Sequence, residues 1–383
     1  MPLLLLLALN EPSTARASTA RVAGGCVRLG LVPGGAHGLV ALRPGEHVAV
    51  CGGGAATGPG LVAVTAPGLA GTLRSPETRV DGLVGAHAVS TGSLRGGGDA
   101  NVPALRARLE KTRASALRLR VVLATILIAL ALFAPRRAIM AGPAAIAGAL
   151  LLSALGWTSL TLFALLTLLG SLLPWRALWV FFAAYLVVLV ASPETQALAP
   201  LGPHPWGGGR FYGVSNELET LLLAPALVLG LAAAPLVLLT IGWSRAGADG
   251  GGLLVYLAAY ARLVPRPRLA AAGVVALAVA FVAVDAATGG SSHVTHSVLH
   301  GNVLHDLWHR WGVSWRGATG AWGRGLVSAA SLLALVVLAL RRPRKRLVDA
   351  FLIGIAVSLV ANDTPQDVLF WGAISGVALR RAV

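Results

Sequence analysis

Charge is what this sequence has least of. Asp, Glu, Lys and Arg make up 12% of its 383 residues, about half the roughly 25% of ordinary soluble domains. Lysine occurs only at Lys111 and Lys345, so the net charge of +16 is almost entirely arginine. The basic residues sit between or beside apolar runs, as in Arg136-Arg137 and Arg341 to Arg346, and form no continuous groove-sized tract. That placement argues against a nucleic-acid partner and for topology determinants. Cys26 and Cys51 are too few for a disulfide framework, although an external location would permit one bridge. There is no His-Glu-x-x-His, no Gly-x-Ser-x-Gly elbow, no phosphate-binding loop and no dinucleotide fingerprint. Nothing in the sequence implies a cofactor.

What is abundant is apolar residue, 56% of the chain, in runs that approach or exceed the length needed to cross a bilayer. The expected fold is an all-α polytopic membrane protein with a small N-terminal α/β or β-rich soluble region. Residues 1–103 form that soluble region, 104–118 a basic juxtamembrane helix and 119–383 the transmembrane domain. Met1 to Leu9 is apolar but short for a signal peptide and lacks a basic start. It reads as a weak export signal, a buried strand or the scar of an upstream truncation. Short β-leaning runs follow at Cys26 to Val32, His47 to Cys51, Leu61 to Thr65 and Gly82 to Val89, separated by Gly- and Pro-rich turns.

Candidate spans run 119–134, 138–156, 158–173, 176–192, 214–230, 232–244, 251–264, 269–285, 325–340, 347–361 and 366–380. Several are short, and 214–244 reads equally as one broken or re-entrant element, giving about nine to eleven crossings. Placing Arg136-Arg137 in the cytoplasm also places Arg176, Arg262 to Arg268, Arg341 to Arg346 and Arg380-Arg381 there. The N-terminal region is then extracytoplasmic and the C-terminus cytoplasmic, with the basic juxtamembrane helix outside, against the rule.

This topology sends four polar motifs to the outer face: G-G-R-F-Y-G-V-S-N-E (208–217), G-A-D-G-G-G (247–252), D-A-A-T-G-G-S-S-H-V-T-H (285–296) and N-D-T-P-Q-D (362–367). Glu217, Asp285, His293 and Asp363 are candidate acid–base groups. Arg210, Tyr212, Asn216, Asp249 and Asn362 are candidate substrate contacts. Each has an ordinary role as well. Arg210 can snorkel, and Tyr212 with Trp206 can sit at the interface. Asn216 and Glu217 can cap a helix, the glycines of 247–252 can permit close packing, and Asp or Thr before Pro365 suits a helix restart.

His293, His296 and His300 share a helix face with the spacing of a zinc site, but no neighbouring Glu supplies a base. Trp308, Trp311 and Trp315 on the same stretch fit an interfacial helix at about 293–316. The expectation is no metal, with those three histidines as the alternative ligand set.

The segment Gly60 to Val84 carries Leu73, Ser75, Thr78, Arg79, Gly82, Leu83 and Val84 in an order that resembles the tail of an alkaline-phosphatase-superfamily-like domain. Such a domain precedes the membrane part in a group of bacterial polytopic proteins. Val80 and Asp81 replace that group's Arg-Pro. The group's R-F-Y-G-x-G-N, G-A-D-F-G-G, T/S-H-L-G and N-D-S-G motifs correspond to Arg210–Asn216, Gly247–Gly252, Ser292–Thr295 and Asn362–Thr364. Ser215, Gly250 and Thr295 depart from the pattern. The resemblance implies a degenerate remnant of the phosphatase-like body, because residues 1–105 hold too few acids for its two-metal chemistry.

Three functions fit. One is an envelope enzyme acting at the outer face on an anionic, lipid-linked or phosphate-bearing substrate. Another is a transporter or flippase with a broken-helix site at 214–252. The third is a non-catalytic membrane scaffold. The bilayer is the one partner common to all, and nothing in the sequence fixes the oligomeric state.

Overall fold

The computed structural model describes residues 30–32, 47–51, 60–65, 72–75, 78–84, 95–203, 212–287, 311–312, 315–316, 318–320 and 322–383. Arg210, His293, His296, His300 and Cys26 lie outside them, as does the side chain of Asp285.

Ahead of Val102 the described residues form five short strands: β1 (Gly30–Val32), β2 (His47–Cys51), β3 (Gly60–Thr65), β4 (Thr72–Arg74) and β5 (Arg95–Gly98). β3 lies between β1 and β2 and is antiparallel to both, with Gly30 opposite Val62 and His47 opposite Thr65. β4 and β5 form a separate antiparallel ribbon, with Arg74 opposite Arg95. The β-leaning run expected at Gly82 to Val89 is not a strand over its described part, Gly82 to Val84. Gly82 takes φ +80° and turns the chain there instead.

The α-helices that follow, as bounded among the described residues, are α1 (Val102–Phe133), α2 (Pro135–Ala154), α3 (Leu160–Gly170), α4 (Ala177–Ala191), α5 (Pro193–Ala197), α6 (Asn216–Leu229), α7 (Ala234–Gly242), α8 (Gly250–Leu263), α9 (Pro267–Ala287), α10 (Trp322–Leu340), α11 (Arg346–Ala361) and α12 (Pro365–Ala382). A 3-10 turn, Leu231–Ala233, joins α6 to α7. The fold is therefore mainly helical, and each apolar run expected to span coincides with a helix. Among the described residues three helices are both long and apolar enough to cross a membrane: Pro103–Phe133, Pro135–Ala154 and Trp322–Leu340. Residues 104–118 are continuous with the first of these, so the basic stretch and the first apolar run form one 32-residue rod.

Local chemistry sets the helix boundaries. Asn101 caps α1 through Oδ1, which accepts from the Ala104 amide at 3.0 Å, and Pro103 stands in the first turn. Asp249 caps α8, its Oδ1 accepting from the Gly252 amide at 2.9 Å. Ser215 caps α6, whose first turn carries Glu217 and Glu219 where carboxylates favour the helix dipole.

The core is organised around α6, which is buried without interruption from Glu217 to Leu227. A helix buried on every face belongs at the centre of a bundle, and α2, α8, α11 and α12 pack around this one. Tyr256 and Tyr260 of α8 donate hydroxyls to the α6 carbonyls of Glu219 (2.8 Å) and Ala226 (3.1 Å). Gly142 of α2 packs against the carbonyl of Leu221, the group that Pro225 cannot reach with a backbone N–H. Outward, α4 and α10 expose Val180, Val187, Leu333 and Leu340, each by more than 60%. Apolar surface on that scale calls for an apolar surrounding.

One end of the bundle is basic. Arg136 at the start of α2 reaches the Ala382 carbonyl, and Arg380 donates to the Arg341 carbonyl at 2.9 Å. Arg262 and Arg344 clamp Asp349 at 3.1 and 2.6 Å. The arginines grouped by the sequence argument at Arg136, Arg262, Arg341 to Arg346 and Arg380 do meet at a single end.

Candidate functional site

At the opposite end, α6, α8 and α12 begin and α11 finishes. Three of the polar motifs read from the sequence meet there. Asn216 donates from Nδ2 to Asp363 Oδ1 at 2.7 Å and to Thr364 Oγ1 at 3.0 Å, tying the start of α6 to the α11–α12 turn. The backbone amide of Val214 donates to the Gly247 carbonyl at 2.8 Å, tying the same segment to the α7–α8 loop.

Glu219 forms the deepest part, only 1% exposed. Its Oε2 accepts from Asn362 Nδ2 at 2.7 Å and its Oε1 faces Ser358 Oγ at 3.4 Å. Asn362 Nδ2 also reaches Ser358 Oγ at 2.7 Å. The carboxyl of Asp249 stands against that of Glu219, close enough for a hydrogen bond between them. Gly251 admits this arrangement, because a methyl group there would strike Asn362 Oδ1.

Glu217, one helical step away, occupies a second compartment. Its Oε2 accepts from Arg120 Nε at 2.8 Å. Its Oε1 is buried and accepts no hydrogen bond from the described residues. Asp367, in the first turn of α12, lies near enough to act electrostatically on both Glu217 and Arg120. Glu217 and Glu219 are thus two carboxyls on different sides of one turn of helix, each enclosed by protein.

The N-terminal segment around Arg79 also reaches this end. Arg79 donates to the carbonyls of Ser244 (2.7 Å) and Arg245 (2.9 Å), and its guanidinium lies 3.8 Å from the centre of the Tyr212 ring. Val80 and Leu83 pack with Leu109, Ala197 and Leu198, docking the segment onto α1 and α5. Arg79→Ala removes two charge-assisted hydrogen bonds and a cation–π contact, a loss of about 3 kcal/mol at this junction. We expect limited proteolysis in detergent to cut ahead of α1 several-fold faster, with thermal unfolding of the helical core unchanged.

Of the residues singled out from sequence, the structure brings together Asn216, Glu217, Asp249, Asn362 and Asp363, with Tyr212 at the edge. Asp285 falls in the last turn of α9. Arg210, His293, His296 and His300 are outside the described residues. Sequence reasoning passed over Glu219, Ser358, Arg120 and Asp367 as site residues. The available signal was a second acid two residues after Glu217 and an arginine placed at the beginning of an apolar run.

Among the described residues no three of His, Cys, Asp and Glu converge in a geometry that holds a metal ion. Comparison with protein families, with curated proteins and with solved structures finds no match in any of the three. The function is therefore argued from the site alone.

Proposed function

We propose that this chain is a multi-pass membrane transporter in which Glu217, Glu219 and Asp249 take up and release protons during transport. The observation that carries the reading is that Glu217 and Glu219, at 5% and 1% exposure, are enclosed in the bundle where helices start and stop. Intramembrane carboxyls with named partners mark ion or proton pathways more often than structural sites.

Depth supports this reading. Arg120, the partner of Glu217, lies about 20 Å of helix rise from Phe133 at about 1.5 Å per residue. With 14 residues each, α6 and α8 rise about 21 Å, short of the roughly 30 Å hydrocarbon core. Neither is long enough to cross such a core alone, a property shared with the broken helices that line transport sites. Gly213, Gly230 and Gly247 interrupt the same stretch. With about nine to eleven crossings and the basic end in the cytoplasm, the site opens toward the outer face.

Charge counts against an anionic substrate held directly by these residues. Glu217 and Asp367 flank the guanidinium of Arg120, and Glu219, Asp249 and Asp363 lie at the same end of the bundle. The envelope-enzyme reading requires the same acids to lie in a pocket open to one face only.

Access distinguishes the two. On a background lacking Cys26 and Cys51, Ser215→Cys and Ser358→Cys are probed with an impermeant thiol reagent in right-side-out and inverted vesicles. We expect labelling from both faces, with Glu219→Gln shifting the balance between them. Labelling from one face alone, or from neither, overturns the transport reading. A one-faced result would instead support an envelope enzyme.

A further inference from the structure

The basic end of the bundle holds two groups of arginines, and only one of them is neutralised. Toward α8 and α11, Asp349 stands between Arg262 and Arg344 and answers both. Toward α2, α10 and α12, six arginines gather: Arg136 and Arg137 at the start of α2, Arg341 and Arg342 in the α10–α11 loop, and Arg380 and Arg381 in the last turn of α12. Among the described residues no carboxylate lies within ion-pair distance of any of the six.

Packing holds this second group together. α12 packs against both α2 and α10, which sets its last turn between them. Arg136 donates from Nε to the Ala382 carbonyl at 3.5 Å, and Arg380 donates from Nη1 to the Arg341 carbonyl at 2.9 Å. Carbonyl partners fix a guanidinium without cancelling its charge. The C-terminal end of α12 offers only about half a negative charge, and Lys345 already donates to the Val383 main-chain oxygen there. Like charges held this way repel one another until an anion sits among them. Apolar surface adjoins the charge on both sides. Phe133, 87% exposed, comes just before Arg136, and Leu340, 74% exposed, just before Arg341.

We propose that the arginines at the ends of α2, α10 and α12 seat the headgroup of an anionic phospholipid, whose acyl chains lie beside Phe133 and Leu340. Guanidinium forks match phosphate oxygens in a bidentate geometry, and basic pockets between membrane helices suit anionic headgroups. A phospholipid supplies both parts of this chemistry, whereas a soluble phosphate supplies only the charge. Arg262 and Arg344 take no part, because Asp349 already satisfies them. The seat requires the bundle to lie in a bilayer, as the transport reading does, but it makes no use of Glu217, Glu219 or Asp249.

The test uses the full chain in detergent. Native mass spectrometry titrates it with phosphatidylglycerol, with phosphatidylcholine as the zwitterionic control and glycerol phosphate as the soluble one. We expect saturable binding of phosphatidylglycerol and no comparable binding of either control. Replacing two of the six in Arg137→Gln/Arg342→Gln weakens it by about tenfold or more. Arg266→Gln/Arg268→Gln removes the same charge from the α8–α9 loop, outside the seat, and leaves binding within about twofold of the parent. All four side chains are exposed, and the unfolding midpoint reports that the fold is intact. Arg381→Gln serves if the first double variant fails to fold. Equal losses in the two double variants mean that anionic lipid is drawn by total charge alone, and they overturn the proposal. Absence of phosphatidylglycerol binding overturns it too, as does equal binding of phosphatidylcholine. Glycerol phosphate binding as tightly as the lipid would make the ligand a soluble anion and overturn the lipid seat. None of these outcomes alters thiol access to Ser215 and Ser358, so the two readings fail separately.

Discussion

Arg120→Gln lowers the stability of the detergent-solubilised protein by about 3 kcal/mol, and Glu217→Gln in the same chain restores most of that loss. The Glu217 side chain is 6% exposed and its Oε2 has Arg120 as the donor at 2.8 Å. Its Oε1 has no hydrogen-bond partner among the described residues, and Asp367 lies near enough to act on it electrostatically. Withdrawing the guanidinium therefore leaves an uncompensated carboxylate in an interior that cannot hydrate it. Removing both charges leaves two amides of similar shape, which is why the double replacement recovers. Because the Arg120 side chain is 31% exposed, the expected loss sits at the lower end for a buried pair. The measurement is the unfolding midpoint of the parent, both single variants and the double variant. A loss under about 1 kcal/mol for Arg120→Gln would place the pair among solvated surface bridges and remove its role in the site.

Gly213→Ala and Gly230→Ala separate two costs that usually arrive together. Both glycines have positive φ, +84° and +75°, so each alanine carries a strained-backbone penalty of about 2 kcal/mol. Around Gly230 an added methyl meets nothing within 4 Å. At Gly213 it falls on the carbonyl of Gly247, the oxygen that accepts the Val214 amide. Relief there requires the α6 start to part from the α7–α8 loop, and with it Asn216 from its partners and Asp249 from Glu219. The expected loss is about 2 kcal/mol for Gly230→Ala and at least twice that for Gly213→Ala, with reduced yield of folded protein. Equal losses would mean that the loop contact is soft and does not hold the site together.

Helix boundaries were legible in part, because capping signals are local: the restart read at Pro365 begins α12. The cap of α6 is Ser215, one residue before the Asn216 and Glu217 read as caps, and Asn101 and Asp249, which were not read as caps, begin α1 and α8. The gathering of Asn216, Glu217, Asp249, Asn362 and Asp363 at one end was also legible. Helices joined by short turns alternate direction, so every second turn returns to the same end. The basic turns at Arg136, Arg262, Arg341 and Arg380 group at the opposite end by the same alternation.

What the sequence could not reveal was rotation. Residues two apart on a helix point about 200° from each other, so a linear reading assigns Glu217 to the site and leaves Glu219 facing away. Burial of both follows from α6 being surrounded by α2, α8, α11 and α12, a property of the neighbours and not of α6. Arg120 sat in an apolar run like any headgroup-facing arginine until packing turned it toward Glu217. Ser358 is one small hydroxyl in an apolar helix, and only the approach of Glu219 and Asn362 gives it a role. Hydropathy and capping act over a few residues and are written in the chain, so composition and order determined a helical bundle with polar turns at one end. Partnership between buried charges depends on helix rotation and on contacts between residues far apart in the chain, 97 positions for Arg120 and Glu217. That part only the tertiary structure decided.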